Sequence, residues 1–241
     1  LIGPQGKVDV AGFIATTADA DNDSFMNQMG TIQFSHAGSA TGSVINKGHI
    51  TIRDAGLGTL VAPVVRNDGV IEGNLAKIQL AGADTFGVDF YGDGLLSLAV
   101  DVPSDSHARK LSVGNSGSIM ADGGKVFMTA AAASDVVDSV LNTTGYIQAH
   151  SLVSEGGEII LAGEGADIAV SGKIDASGQG GGGKIRIGGD YQGANTLPQA
   201  RRTIVEKDAV IKANAFDNGD GGSVVVWSKG DTYYSGAIEA K

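Results

Sequence analysis

Glycan cleavage needs two carboxylates that share acid and base roles, or an acidic cluster holding Ca²⁺ beside Arg or Lys, so paired acids come first. Asp89 with Asp93, Asp101 with Asp105, and Asp217 with Asp220 have the type and spacing for such work. Each is also what a turn requires, because Asp hydrogen-bonds its own backbone two residues on, and the turn reading is the expected one. Asp19, Asp21 and Asp23 alternate as calcium ligands do, but the glycine and distal glutamate of a calcium-binding hand are missing, and so is the glycine-rich calcium nonapeptide. His36, His49, His107 and His150 have no partner at metal-ligand spacing and are expected at the surface or at corners. Gly180-Gly181-Gly182-Gly183-Lys184 suggests a phosphate loop, yet no Ser or Thr follows the lysine and no helix follows to supply an N-terminal dipole. Trp227 and Tyr233-Tyr234 could stack on a sugar; aromatic residues at the end of a core more often cover it. No catalytic, cofactor-binding or metal-binding residue is assigned, and the chain is expected not to be an enzyme.

The elements that would carry these residues are written in a repeated phrase, Asn-x-Gly-x-Ile. It appears as Asn46-Lys47-Gly48-His49-Ile50, Asn67-Asp68-Gly69-Val70-Ile71 and Asn115-Ser116-Gly117-Ser118-Ile119, and degenerates around Gly145, Gly172 and Gly236. A second phrase, two glycines and a polar residue before a β-branched run, recurs at Gly123-Gly124-Lys125-Val126, Gly156-Gly157-Glu158-Ile159, Gly182-Gly183-Lys184-Ile185 and Gly221-Gly222-Ser223-Val224. A turn-then-strand unit repeated every 20-odd residues is the signature of a solenoid. Two punctuated corners per coil are expected, on the order of ten rungs and a rod of roughly 50 Å. Asn and Gly tolerate left-handed backbone, and stacked Asn side chains can hydrogen-bond from one turn to the next.

Composition agrees. The chain has 38 glycines in 241 residues, few aromatics and no cysteine, so tight turns and narrow strands are expected and neither disulfides nor thiolate chemistry operates. A chain that crosses an oxidising compartment unfolded gains from lacking cysteines. The net charge of −10, from 27 acids against 17 bases, argues against nucleic acid and anionic lipid as partners. No apolar run is long enough for a membrane-spanning helix, so no membrane insertion is expected. The first residues do not read as a signal peptide, and the chain is expected to be cut from something longer.

Along the chain, 19–30 reads as a loop or short helical excursion, and Pro63 marks a corner because it lacks a ladder donor. No strand is expected to exceed about eight residues. Val88-Asp89-Phe90-Tyr91 reads as a further short strand, and 134–141 as strand or short helix. Residues 103–110 and 191–208 are expected excursions and the best guess for presented surface.

Several stretches closely resemble one family. Gly6-Lys7-Val8-Asp9-Val10-Ala11-Gly12-Phe13-Ile14-Ala15-Thr16-Thr17, Asn46-Lys47-Gly48-His49-Ile50 and Ala62-Pro63-Val64-Val65-Arg66-Asn67-Asp68-Gly69-Val70-Ile71 resemble the secretion domain of filamentous haemagglutinin-type exoproteins, the secreted partner of two-partner secretion. Val88 to Leu96 looks like that family's next coil, and Asp217 to Trp227 with Gly236-Ala237-Ile238-Glu239-Ala240 continues the likeness. The family's Asn-Pro-Asn motifs, which serve transporter recognition, are not in this chain; Gly3-Pro4-Gln5-Gly6 begins where the second would end.

The resemblance implies an all-β fold, a right-handed parallel β-helix (β-solenoid) with short extra-helical excursions. It implies one β-helix over 1–241, in which 1–110 resembles the C-terminal part of the secretion domain and 111–241 continues the repeats. It further implies export by an outer-membrane barrel transporter, and a secreted or cell-surface adhesin of a Gram-negative bacterium, acting as a rigid rod that presents loops to a host-cell or matrix receptor or glycan. The alternatives are the shaft of a contact-dependent inhibition toxin, a self-assembling surface fibre and, last, a polysaccharide-cleaving β-helix enzyme.

Overall fold

A computed structural model describes residues 1–20, 22–27, 31–89, 96–97, 111–130, 140–152, 156–194 and 197–241. Among them the chain winds as stacked coils with three faces. The first face is a seven-stranded parallel sheet of Ser43–Asn46, Val64–Asn67, Ser112–Asn115, Val140–Thr143, Asp167–Val170, Arg202–Val205 and Thr232–Tyr234. The second face runs through Val70–Glu72, Ser118–Met120, Tyr146–Gln148, Lys173–Asp175, Val210–Lys212 and Ala237–Glu239. The third runs through Lys77–Gly82, Lys125–Ala130, Glu158–Ala162, Lys184–Ile187 and Ser223–Val226. All these pairings are parallel.

Two strands exceed the expected length. Lys7–Thr16 and His49–Ala62 each continue from the second face into the third and join the two faces into one 13-stranded sheet. Their turn is made by a register shift between Val10 and Gly12 and by Ala55 at φ 58, so the corner bends without ending the strand.

The repeated phrase maps onto one corner. Its Asn ends the first face and points inward, its Gly forms the corner, and its Ile opens the core of the second face. Val8, Ile50, Ile71, Ile119, Ile147, Ile174, Ile211 and Ile238 occupy one register position from coil to coil, and the six from Ile50 to Ile211 are each at most 2% exposed. Burying each such side chain is worth about 1.5–3 kcal/mol. The asparagines form the expected ladder. Asn46 Nδ2 donates to Asn67 Oδ1 at 2.8 Å, Asn67 Nδ2 to Asn115 Oδ1 at 2.8 Å, and Asn115 Nδ2 to Thr143 Oγ1 at 3.5 Å. Above Thr143 the position turns apolar, as Val170 and Val205.

Close stacking explains the glycines. A Cβ on Gly69, Gly117, Gly145 or Gly172 would fall against the backbone carbonyl of the glycine one coil below. Gly124, Gly157, Gly183 and Gly222 make a like column at the start of the third face, where a Cβ would strike the carbonyl of Ala76, Ala149, Gly157 and Gly183 respectively. A third corner, between the third face and the next first face, has no such column among the described residues; Pro63 sits there, as expected.

Asn46, Asn67, Asn115, Thr143, Val170, Val205 and Tyr234 share one register position, so successive coils take 21, 48, 28, 27, 35 and 29 residues. The step of 48 holds one coil and an excursion, not two coils. With Ile2 bridging Asn46, eight coils are described rather than about ten, a stack of roughly 35 Å.

Phe86–Asp89 is not a coil strand. It pairs antiparallel with Thr31–Phe34 and with Leu96–Ser97, off the stack. Two excursions distant in sequence thereby meet, with Phe34 and Phe86 stacked at 4.5 Å and 8°. Asn22–Asn27 is a short α-helix, within the stretch expected as a loop or short helical excursion. Phe86 and Val88 pack with Val61 and Ala81 on the outward side of the third face, and Leu197 packs on Phe127, Ile160 and Ala162 higher up. The third face therefore buries both sides in its lower coils, Lys77–Gly82, Lys125–Ala130 and Glu158–Ala162, whereas Lys184–Ile187 higher up alternates, with Lys184 exposed and Arg186 half-buried.

Candidate functional site

Of the acids singled out in the sequence, the three whose side chains are described, Asp19, Asp217 and Asp220, sit in turns and loops. Asp217 and Asp220 are exposed in a loop stacked on 178–182, where the Asp220 carbonyl accepts from Gly182 N at 3.1 Å. Asp19 exchanges backbone hydrogen bonds with His36 and caps Ala20 N with its own carboxylate at 2.9 Å, which is turn chemistry. Asp21, Asp93, Asp101, Asp105 and His107 lie outside the described residues, as do 103–110, 131–139 and the side chains of Asp23 and Asp89. Among the described residues no three His, Asp or Glu side chains are placed to hold a metal. The Gly180–Gly183 run leads into the strand Lys184–Ile187. Trp227 closes a third-face strand, its carbonyl accepting from Thr203 Oγ1 at 2.7 Å, while Tyr233 and Tyr234 are exposed on the last first-face strand.

The expected excursion over 191–208 is shorter in the structure. Arg202–Val205 is a coil strand, so the excursion ends before it. Arg201 and Arg202 both meet Asp167 Oδ2 at 2.6 Å. Leu197 folds back on the coil, while Tyr191 stays exposed.

The second face presents a partly exposed outward row. Two shallow cavities of about 810 and 770 Å³ lie on it, one around Tyr146, Lys173, Asp175 and Lys212, the other around Thr51, Glu72, Asp122 and Gln148. They share no lining residue; Tyr146, which lines the first, donates its hydroxyl to Gln148 Oε1, which lines the second. Burial first, then the negative charges of Asp175 and Asp122, push the Tyr146 hydroxyl above its ordinary pKa, so it stays a donor. Gln148 Nε2 in turn donates to both Asp122 oxygens at 2.8 and 2.9 Å.

Two histidines that look isolated in sequence gain partners here, because residues 23 to 28 apart fall on neighbouring coils. His49 Nε2 is 2.7 Å from Glu72 Oε1. His150 lies between Asp122 (3.8 Å) and Asp175 (3.6 Å), with its ring edge-on to exposed Phe216. Only the coil spacing could have revealed these contacts from sequence.

Charge pairs also tie coils together at the third face. Lys125 Nζ is 2.8 Å from Glu158 Oε2, and Arg186 meets the other oxygen of Glu158. Burial raises the Glu158 pKa, but Lys125 and then Arg186 outweigh it and hold the carboxyl below its ordinary 4.5. On the first face, the Ser116 hydroxyl, donating at 2.8 Å, and then the Arg66 guanidinium hold Asp68 below its usual range against partial burial.

No protein-family model matches the chain, and no curated protein matches it. Its fold is shared with a solved structure, the HMW1 secretion domain from Haemophilus influenzae: 99% of this chain aligns with 67% of that one, at a TM-score of 0.68 and 24% identity.

Proposed function

We propose that this chain is a segment of an exoprotein of the two-partner secretion type, wound as a right-handed parallel β-helix and exported through an outer-membrane barrel transporter of a Gram-negative bacterium. The supporting observation is a likeness of fold that runs over nearly the whole chain to a secretion domain. The phrases around Gly6–Thr17, Asn46–Ile50 and Ala62–Ile71, which resemble filamentous haemagglutinin-type secretion domains, fall on the first three coils.

The mechanism is mechanical, and no residue is given a catalytic role. Each added coil pairs the open strand edge of the one before it and covers another layer of apolar side chains, so folding proceeds by nearest-neighbour steps. A chain that emerges unfolded outside the outer membrane would wind itself up coil by coil, and that free energy opposes its return. The product is a stiff rod at the cell surface with an adhesin's role.

Export is tested by expressing the full reading frame in a Gram-negative host with and without the transporter encoded beside it. The protein is expected in the medium or on the surface only when the transporter is present. Export that is indifferent to the transporter, or retention in the periplasm with it, would refute the proposal.

A further inference from the structure

We propose that Asn218 is a site of spontaneous modification, where the chain converts its own amide to a mixture of aspartate and isoaspartate, while the fold protects the ladder asparagines from the same reaction. Asn218 is the one asparagine followed by glycine, the neighbour that least obstructs ring closure because it carries no side chain. Both residues are exposed in the loop between the second and third faces. The loop is tied on either side: Asp217 N donates to the Gln179 carbonyl at 3.2 Å, and the Asp220 carbonyl accepts from Gly182 N at 3.1 Å. Between these ties neither the Asn218 amide nor the Gly219 N–H makes a hydrogen bond among the described residues. The two reacting groups are therefore adjacent, solvated and unheld.

The ladder asparagines differ on each count. Asn46, Asn67 and Asn115 are at most 2% exposed, and their side-chain amides are engaged. The N–H that would have to attack is itself donated one coil down, Lys47 N to the Ile2 carbonyl at 2.9 Å, Asp68 N to that of Asn46 at 2.8 Å and Ser116 N to that of Asn67 at 2.9 Å. Asn214, at the same corner as Asn218, is held too: its Nδ2 donates to Glu239 Oε2 at 3.1 Å, and Ala215 N donates to the Lys241 carbonyl at 2.8 Å.

The reaction balances with water alone. Hydroxide takes the Gly219 N–H proton, the Gly219 nitrogen bonds to Asn218 Cγ, and the Cγ–Nδ2 bond breaks as ammonia leaves with a proton from water. Water then opens the cyclic imide. Attack at Cγ leaves aspartate; attack at the backbone carbonyl leaves isoaspartate, whose main chain runs through Cβ and Cγ. Either product adds one negative charge beside Asp217 and Asp220. Only isoaspartate adds a methylene to the main chain between the two ties, where Gly219 already lies so close to Gly180 that a Cβ would strike its carbonyl. The Gly182 to Asp220 bond is the one this loosens.

Purified protein kept at body temperature in mildly alkaline buffer, with and without urea, tests this by tryptic peptide mass spectrometry, isoaspartate being read by its enzymatic methylation. In the folded chain Asn218 is expected to convert at least about tenfold faster than Asn46, Asn67 or Asn115, and urea is expected to speed Asn115 by about tenfold or more while changing Asn218 little. Asn218 intact in the folded chain but converted in urea, or Asn115 equally fast in both states, would overturn the proposal. Amide exchange reads the consequence: faster at Gly182 in the isoaspartate fraction, unchanged in Asn218→Asp, which supplies the charge without the methylene. Equal exchange in the two would refute the loosening.

Discussion

Asn67 is the middle rung of the buried ladder, and replacing it should cost more than its own hydrogen bonds. Its side chain is 0% exposed; Oδ1 accepts from Asn46, and Nδ2 donates to Asn115 and to the Ser118 carbonyl at 3.2 Å. Asn67→Val removes two rung-to-rung bonds, each worth about 1 kcal/mol net, and leaves Asn115 Oδ1 buried without its donor, which costs a further 1–3 kcal/mol or so. The expected loss is therefore about 3–5 kcal/mol. Thr143→Val, at the end of the ladder, gives up only the 3.5 Å contact from Asn115 and should cost about 1 kcal/mol or less. Because Val170 and Val205 already fill the same position higher in the stack, valine fits the space, and the difference isolates polar pairing from packing. Changing Asn46, Asn67 and Asn115 to Val together should cost less than three times the single change, since no ladder amide is then left facing a missing neighbour, and the main added cost is the buried Gly48 N–H that donates to Asn46 Oδ1 at 3.0 Å. Urea unfolding of the three variants and the wild type measures this. Equal losses for Asn67→Val and Thr143→Val, or a triple variant that loses the plain sum, would refute the account of the ladder.

Other perturbations probe the stacking, the acid pairs and the excursions. Gly117→Ala forces a Cβ onto the Gly69 carbonyl and should cost several kcal/mol or prevent folding, whereas at Gly114 nothing lies nearer than 3.9 Å, so Gly114→Ala should change the unfolding free energy little or raise it by up to about 1 kcal/mol. Glu158 has its pKa lowered in the folded chain, so its contribution is present above the ordinary glutamate range and lost as pH falls through it; between about pH 6 and pH 3 the wild type should lose more stability than Glu158→Gln. Phe34→Ala removes the ring stacked on Phe86; amide exchange should speed up in Thr31–Phe34 and Phe86–Asp89 while the Ile-lined second face stays protected.

The coil was legible because its determinants are local. Asn, Gly and Ile within five residues fix an inward amide, a bare corner and a core side chain, and the phrase repeats often enough to be seen despite its drift. Where the drift is largest the register still holds: Ala209 takes the glycine's place below Gly236, whose added Cβ would meet the Ala209 carbonyl at 2.7 Å, less tightly than in the glycine column. The number of coils was overestimated because spacing alone cannot divide 48 residues between two coils and one coil with an insertion. Phe86–Asp89 shows why. Its alternation is that of any half-buried strand, and nothing local states that its partner is Thr31–Phe34, some 55 residues earlier and running the other way.

The same reasoning explains why the polar contacts of the second face were invisible while the glycine phrases were plain. His49 and Glu72, Gln148 and Asp122, and His150 and Asp175 become neighbours only through the length of the coil between them, and that length varies with each excursion. A one-residue change of register would turn every outward polar side chain on the second face inward and expose the isoleucine column. The isoleucines therefore fix where the polar groups stand: selection for a continuous core sets the row, and the outward row is free to vary in chemistry. The outward side chains are those the repeat does not constrain, and these are the residues a repeat-based reading passes over.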